Sequence, residues 1–164
     1  DYAGSMRILW NHADFFVINV SSPNTLGLRE LQQSRHLDSI LGLCQKTNSE
    51  CSEKSGKGLK PLLVKIAPEL DDDQLKEILD LLSEHDLQGI VATNTTVKRP
   101  DTSNSRCKAV YDQDGGLSGL PLKNPSTEVI RKIYRMTGGK IPIIGVGGIF
   151  NDGDGTVASY RWWK

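Results

Sequence analysis

The sequence is as informative in what it lacks as in what it holds. None of its 164 residues form an apolar run approaching the roughly 18 that cross a bilayer, and it contains no internal repeat and no low-complexity tract. It has no charge imbalance, since 20 Lys and Arg offset 20 Asp and Glu. A neutral chain offers no basic face, so neither nucleic acid nor an anionic membrane surface is expected as a partner. Cysteine is scarce: Cys44, Cys51 and Cys107 are an odd number without a CxxC pair, which argues against a disulfide framework or a zinc site and for reduced thiols. His12, His36 and His85 are scattered without ligand spacing, and no metal is expected. There is no signal-peptide pattern and the first residue is Asp rather than Met, so a fragment or processed piece is expected. What remains, 37% hydrophobic and 24% charged residues, suits one soluble globular domain of ordinary size.

Four apolar, β-rich runs stand out: FFVINV at 15–20, LLVKIA at 62–67, GIVATN at 89–94 and IPIIGV at 141–146. They are mostly continuous rather than alternating, as strands covered on both faces of a parallel sheet are. Amphipathic helices are predicted between them. Leu37, Ile40, Leu41 and Cys44 fall on one helical stripe, as do Leu75, Ile78, Leu79 and Leu82, with Asp71, Asp72 and Asp73 suited to a helix start. A further helix is predicted with Asn124 as its cap, Pro125 in its first turn, Val129, Ile130 and Ile133 facing the core, and Gly138-Gly139 as its stop. Strands alternating with helices predict a parallel α/β sheet. Residues 47–60 read as a polar surface loop, and 98–119 as a long polar connection of the kind that serves binding sites.

Each run ends in residues that can do chemistry. The first ends in Asn19, followed by Ser21, Ser22, Asn24 and Thr25; the third in Thr93, Asn94, Thr95 and Thr96; the fourth in Gly145, Val146, Gly147 and Gly148. The second carries Lys65 among apolar neighbours. Ligands of parallel α/β folds sit beyond the carboxyl ends of the strands, so these groups are expected to meet. Lys65 has two readings open to it, a side chain snorkelling to the sheet edge or a cation awaiting an electron-rich partner. The glycine turn likewise serves tight backbone geometry or cradles a phosphate; Phe150 in place of the last glycine spoils it as a dinucleotide fingerprint. Ser21 and Ser22 can also be turn-forming hydroxyls. The sequons at Asn19 and Asn94 read as chance matches, because strand ends aimed into a site are poor acceptors.

Five ordered segments carry a resemblance to a known family: FVINVSSPNTLGLR at 16–29, LVKIAPEL at 63–70, IVATNTTVKRP at 90–100, GGLSGLPL at 115–122 and IPIIGVGGI at 141–149. Across residues 1–150 the chain resembles dihydroorotate dehydrogenases of the quinone-dependent, class 2, mitochondrial type. The resemblance implies a fragment of a (β/α)8 TIM barrel, about its strands 4 to 7. It implies FMN as cofactor, oxidation of (S)-dihydroorotate to orotate, ubiquinone as acceptor at a site outside this chain, and a place in pyrimidine synthesis. Ser22 falls on the catalytic base, where class 1 relatives have Cys, and Thr25 on its proton path. Asn19, Asn24, Asn94 and Thr95 fall on substrate contacts. Asn19, Lys65, Thr93, Gly119 and Gly148 fall on FMN contacts, Lys65 near flavin N1 and O2 and Gly148 at the phosphate. Residence at the mitochondrial inner membrane is implied for the full-length protein only. The alternatives are another FMN barrel oxidoreductase, of class 1 or dihydropyrimidine dehydrogenase type, and a non-catalytic half-barrel binding a phosphate ligand or a partner chain. Residues 151–164, ending RWWK, depart from the family pattern and are expected to be a divergent tail. A half barrel has open edges, so the isolated chain is expected to be aggregation-prone and inactive.

Overall fold

A computed structural model of the chain describes residues 2–25 and 27–154, and in it the four apolar runs form one parallel sheet. Its strands are β1 (Phe16–Asn19), β2 (Leu62–Ile66), β3 (Gly89–Ala92) and β4 (Ile143–Gly145), lying side by side in chain order. Helix α1 (Tyr2–Leu9) precedes β1. Helix α2 (Ser34–Ser55) joins β1 to β2, and α3 (Asp72–Glu84) joins β2 to β3. Between β3 and β4 come α4 (Ser105–Tyr111) and α5 (Leu120–Thr137). Short 3-10 turns occupy Trp10–His12 and Leu28–Gln32.

Register divides the sheet into two faces. Ile18, Val64, Ile90 and Ile143 are partnered across the strands, and the first three are buried. Leu37 and Leu41 of α2, Ile78 and Leu82 of α3, and Ile130 and Ile133 of α5 join them in one core. Burying one such side chain contributes roughly 1.5–3 kcal/mol. Asn19, Lys65, Val91 and Ile144 form the next row and therefore lie on the other face, with Val17 and Leu63 two residues earlier. None of the apolar residues in that second set belongs to the helix-covered core.

Local chemistry sets the helix ends. Asp71 and Gln74 form a reciprocal capping box at the start of α3, with Gln74 N–H donating to Asp71 Oδ1 at 2.8 Å. Gly56 and Gly138 take left-handed conformations behind α2 and α5.

Three sequence expectations are corrected. Residues 47–55 are helical, not loop. Thr47 donates to the Leu43 carbonyl at 2.8 Å, and Asn48 exchanges two hydrogen bonds with the Lys60 backbone, so the polar stretch is satisfied inside the fold. Helix α5 starts at Leu120 behind Gly119, not at Asn124. Gly119 adopts φ 80°, and Pro121 needs no amide partner in the first turn; Pro125 sits inside the helix. The long 98–119 connection contains α4, capped by Asn104. The N-terminal helix, absent from the sequence reading, buries Ala3 and Met6, with Trp10 in the turn behind it.

Candidate active site

The carboxyl ends of β1 and β3 meet through side-chain amides. Asn19 Oδ1 accepts from the amide and the hydroxyl of Ser21, at 3.2 and 2.9 Å. Asn94 Nδ2, from the end of β3, donates to Ser21 Oγ at 3.0 Å and to Asn19 Oδ1 at 3.4 Å. Its Oδ1 accepts from Thr95 N–H at 2.8 Å. Two loops 75 residues apart in sequence are thus held together by fully specified polar contacts. The Tyr2 hydroxyl donates to the Asn19 carbonyl at 3.0 Å, tying α1 to the same point.

The two serines part company. Ser21 is buried and consumed by this network. Ser22 is half-buried, and its hydroxyl accepts only a local 3.3 Å bond from Asn24 N–H among the described residues. The turn-forming reading therefore fits Ser22 alone, which keeps its proton for another partner, whereas the Ser21 hydroxyl bonds the Asn19 and Asn94 side chains. Thr25 is exposed, and no direct hydrogen bond joins its hydroxyl to Ser22.

The 98–119 excursion closes over this turn. Thr96 and Leu117 exchange backbone bonds of 2.9 and 2.7 Å at its base. The Arg99 guanidinium reaches five carbonyls, those of Thr96, Val97, Tyr111, Gln113 and Gly115. Gly116 N–H donates to Asn24 Oδ1 at 3.2 Å. A side chain at Gly116 would collide with Thr95 and bring its Cβ to 2.8 Å of the Pro23 ring, so only glycine lets the excursion rest there.

Lys65 is half-buried on the second face, flanked in register by Asn19 and Val91. Among the described residues no carboxylate or carbonyl pairs with its ammonium. An unpaired cation beside a cluster of amides fits an electron-rich or anionic ring. Thr93 is buried, follows a cis Ala92–Thr93 peptide and donates to the Asn94 carbonyl at 2.9 Å. Gly119 stands at the cap of α5. Gly148, with φ 70°, sits against the Lys123 backbone in the first turns of α5, where a Cβ would clash. The N–H of Phe150, two residues on, donates to Asp154 at 3.1 Å, and Asp154 also pairs with Lys123 at 2.5 Å. Lys123 and that N–H hold the Asp154 carboxyl below its ordinary range. A carboxylate thus already occupies part of the donor set beside Gly148.

The sequence reading missed Arg29 and Glu69, which join the strand-end loops from behind through a 2.8 Å ion pair. It also missed the closing role of Arg99. Each stands in a segment quoted for the resemblance, but nothing local marks a partner 40 residues away.

With the geometry in hand, the likeness to known proteins is specific. A family model described as "Dihydroorotate dehydrogenase" matches residues 1–156. The chain is 48% identical over 162 residues to a protein of Rippkaea orientalis named dihydroorotate dehydrogenase (quinone), covering 94% of this chain and 40% of that protein. It is 49% identical over 154 residues to the protein of the same name from Gloeobacter violaceus, again covering 94% and 40%. Among solved structures, that of DHODH in complex with ferulenol from Eimeria tenella superposes with a TM-score of 0.87 at 37% identity, over 96% of this chain and 44% of that one. The chain therefore spans about 40% of the length of the curated relatives it matches. The parallel sheet with flanking helices agrees with a portion of a (β/α)8 barrel, as the resemblance implied. The expected mitochondrial residence is overturned, because the curated relatives are cyanobacterial and such cells have no mitochondria. No described helix is long and apolar enough to cross a membrane.

Proposed function

The chain belongs to the dihydroorotate dehydrogenase family, and from that we propose that it supplies part of an enzyme oxidising (S)-dihydroorotate to orotate, with FMN as cofactor and a quinone as electron acceptor, in pyrimidine synthesis. The observation that carries this reading is the convergence of Asn19, Ser21 and Asn94 beside Ser22 and beside Lys65, whose ammonium has no partner among the described residues.

In this reading Asn19, Asn24, Asn94 and Thr95 hold the pyrimidine ring and carboxylate, since amides and a hydroxyl offer both donors and acceptors. Ser22 takes the proton from C5. FMN, when bound, would supply the acceptor for the hydride from C6 and the route of its electron pair to a quinone, leaving C5 and C6 doubly bonded. A serine hydroxyl is a weak base and works only in a dry site with an outlet for its proton, for which Thr25 is the proposed route. The 98–119 excursion seated on Pro23 and Asn24 supports the exclusion of water. Lys65 would supply positive charge to the flavin ring, and Asn19, Thr93, Gly119 and Gly148 would hold the cofactor, Gly148 at the phosphate. The barrel portion is taken as residues 1–150, with 151–164 as a divergent tail; residues 155–164 lie outside those described.

The 164-residue chain by itself is proposed to be inactive. Its sheet ends at β1 and β4 without further partners among the described residues, and Val17, Ile144 and Phe150 stand 39%, 42% and 60% exposed. Open edges and bare apolar surface favour aggregation over a closed site.

The test is a chimaera in which residues 1–150 replace the matched segment of the Rippkaea orientalis relative. Dihydroorotate oxidation is followed with a quinone and with soluble acceptors. Turnover supported by quinone is expected. A chimaera that binds flavin but does not reduce it with dihydroorotate would favour another FMN barrel oxidoreductase, and flavin-free folding without turnover would favour the non-catalytic half-barrel.

A further inference from the structure

The ion pair between Arg29 and Glu69 lies in a polar groove of about 520 Å³ between the Leu28–Gln32 turn, the end of β2 and α3. Its side chains are only 24% and 18% exposed. Arg29 spends each edge of its guanidinium on a different loop. Nη1 donates to Glu69 Oε2 at 2.8 Å, Nη2 to the Thr95 carbonyl at 2.9 Å, and Nε to the Ser21 carbonyl at 3.3 Å. Glu69 uses its other oxygen to accept from Thr96 Oγ1 at 2.5 Å and from Val97 N–H at 3.0 Å. One charge pair therefore fastens the loops that follow β1, β2 and β3.

The carbonyls chosen matter. The Ser21 carbonyl belongs to the Ser21–Ser22 peptide, which is planar, so fixing it fixes the plane from which the Ser22 side chain projects. The Thr95 carbonyl fixes the peptide that follows Asn94 and Thr95 in the same way. Arg29 also belongs to the loop that carries Ser22, so its bond to Ser21 closes that loop on itself.

We propose that Arg29 and Glu69 are positioning residues, a clasp that aims Ser22 and the Asn94–Thr95 pair at one substrate. The proposal rests on the function read above. It needs the planar fork of arginine, which lysine does not reproduce despite its equal charge. Misplacement of a reacting group by about 1 Å costs up to about 100-fold in rate, so a small slackening of these loops is enough to matter.

Two experiments test it. In the chimaera, Arg29→Lys and Glu69→Gln are compared with the unvaried protein by anaerobic flavin reduction, scaled to bound flavin, with dihydroorotate carrying hydrogen or deuterium at C5. The variants are expected to retain flavin and orotate binding, to reduce flavin about 10-fold to 100-fold more slowly, and to show a larger C5 isotope effect. If they lose only flavin content or thermal stability, with rate per flavin and isotope effect unchanged, the clasp is merely structural and the proposal falls while the functional reading stands. If the unvaried chimaera does not reduce its flavin with dihydroorotate, the functional reading falls and takes the proposal with it. In the chimaera without substrate, amide exchange at Thr95 and Val97 is expected to quicken in both variants; unchanged exchange would overturn the clasp independently of any activity.

Discussion

Ile18, Val64 and Ile90, on one side of the sheet, are at most 4% exposed, whereas Val17 and Ile144, on the other, are 39% and 42% exposed. The residue types are the same, and the cover differs at the outer strands; Leu63 and Val91, on the inner strands of the second side, are only 7% and 5% exposed. The first side packs on α2, α3 and α5 in a continuous core. The second side carries apolar residues outside that core, together with Asn19 and Lys65. In a closed barrel such inward-facing residues are buried by strands from across the interior. The stability of this chain is therefore concentrated on its helix-covered face. Its candidate chemistry is concentrated at the strand ends and on the other face, where the loops rather than the core hold the side chains.

Several substitutions break or sharpen that contrast. The largest effect is expected from Leu82→Ala on the covered face, a loss of about 3 kcal/mol by chemical denaturation, against roughly 0.5 kcal/mol for Ile144→Ala on the bare face. Equal losses would mean that the second face is as well packed as the first. Gly116→Ala, at the strand ends, forces a side chain into Thr95 and Pro23 and is expected to cost about 1–3 kcal/mol, with faster amide exchange at Leu117. Asp71→Ala removes the capping box of α3, a feature of the covered side, and is expected to cost about 1 kcal/mol.

The smallest effect is alkaline. Burial pushes the Cys44 thiol from 9.0 up to about 11. The fold holds it protonated where the unfolded chain ionises, so its contribution is complete below about pH 9 and falls as pH rises through about 11. Tyr2 is raised too, by burial and then by the charge of Cys44, and steepens the same slope. Cys44→Ala is expected to flatten the stability profile in that window, measured by denaturation at stepped pH. Iodoacetamide is expected to reach Cys107 before Cys44.

How much of this was legible in the sequence follows the same division. Continuous apolar runs betrayed all four strands, because a barrel strand is designed for cover on both faces; the bareness of Val17 and Ile144 was invisible to that signal. Helix α3 announced itself by its stripe and its acids. The second half of α2 did not, since Thr47 and Asn48 look like loop residues and are reconciled to a helix only by the Leu43 and Lys60 backbone. The 3–6–10 spacing of Ala3, Met6 and Trp10 was a readable helical signal that went unused. At the site, Asn19, Ser22, Asn24 and Asn94 were legible as strand-end polar residues, and the structure brings Asn19 and Asn94 together while leaving Thr25 without a bond to Ser22. That Ser21 rather than Ser22 carries the structural network shows only in the fold, as does the Arg29–Glu69 pair, because long-range partners leave no periodic trace.

The most direct test of the central claim is the visible absorbance of bound flavin in the chimaera when dihydroorotate is added without oxygen, compared between Ser22 and Ser22→Ala. The account predicts bleaching with Ser22, and slowing by about 100-fold to 10,000-fold in the variant with its flavin retained. Equal bleaching rates in the two proteins would contradict it.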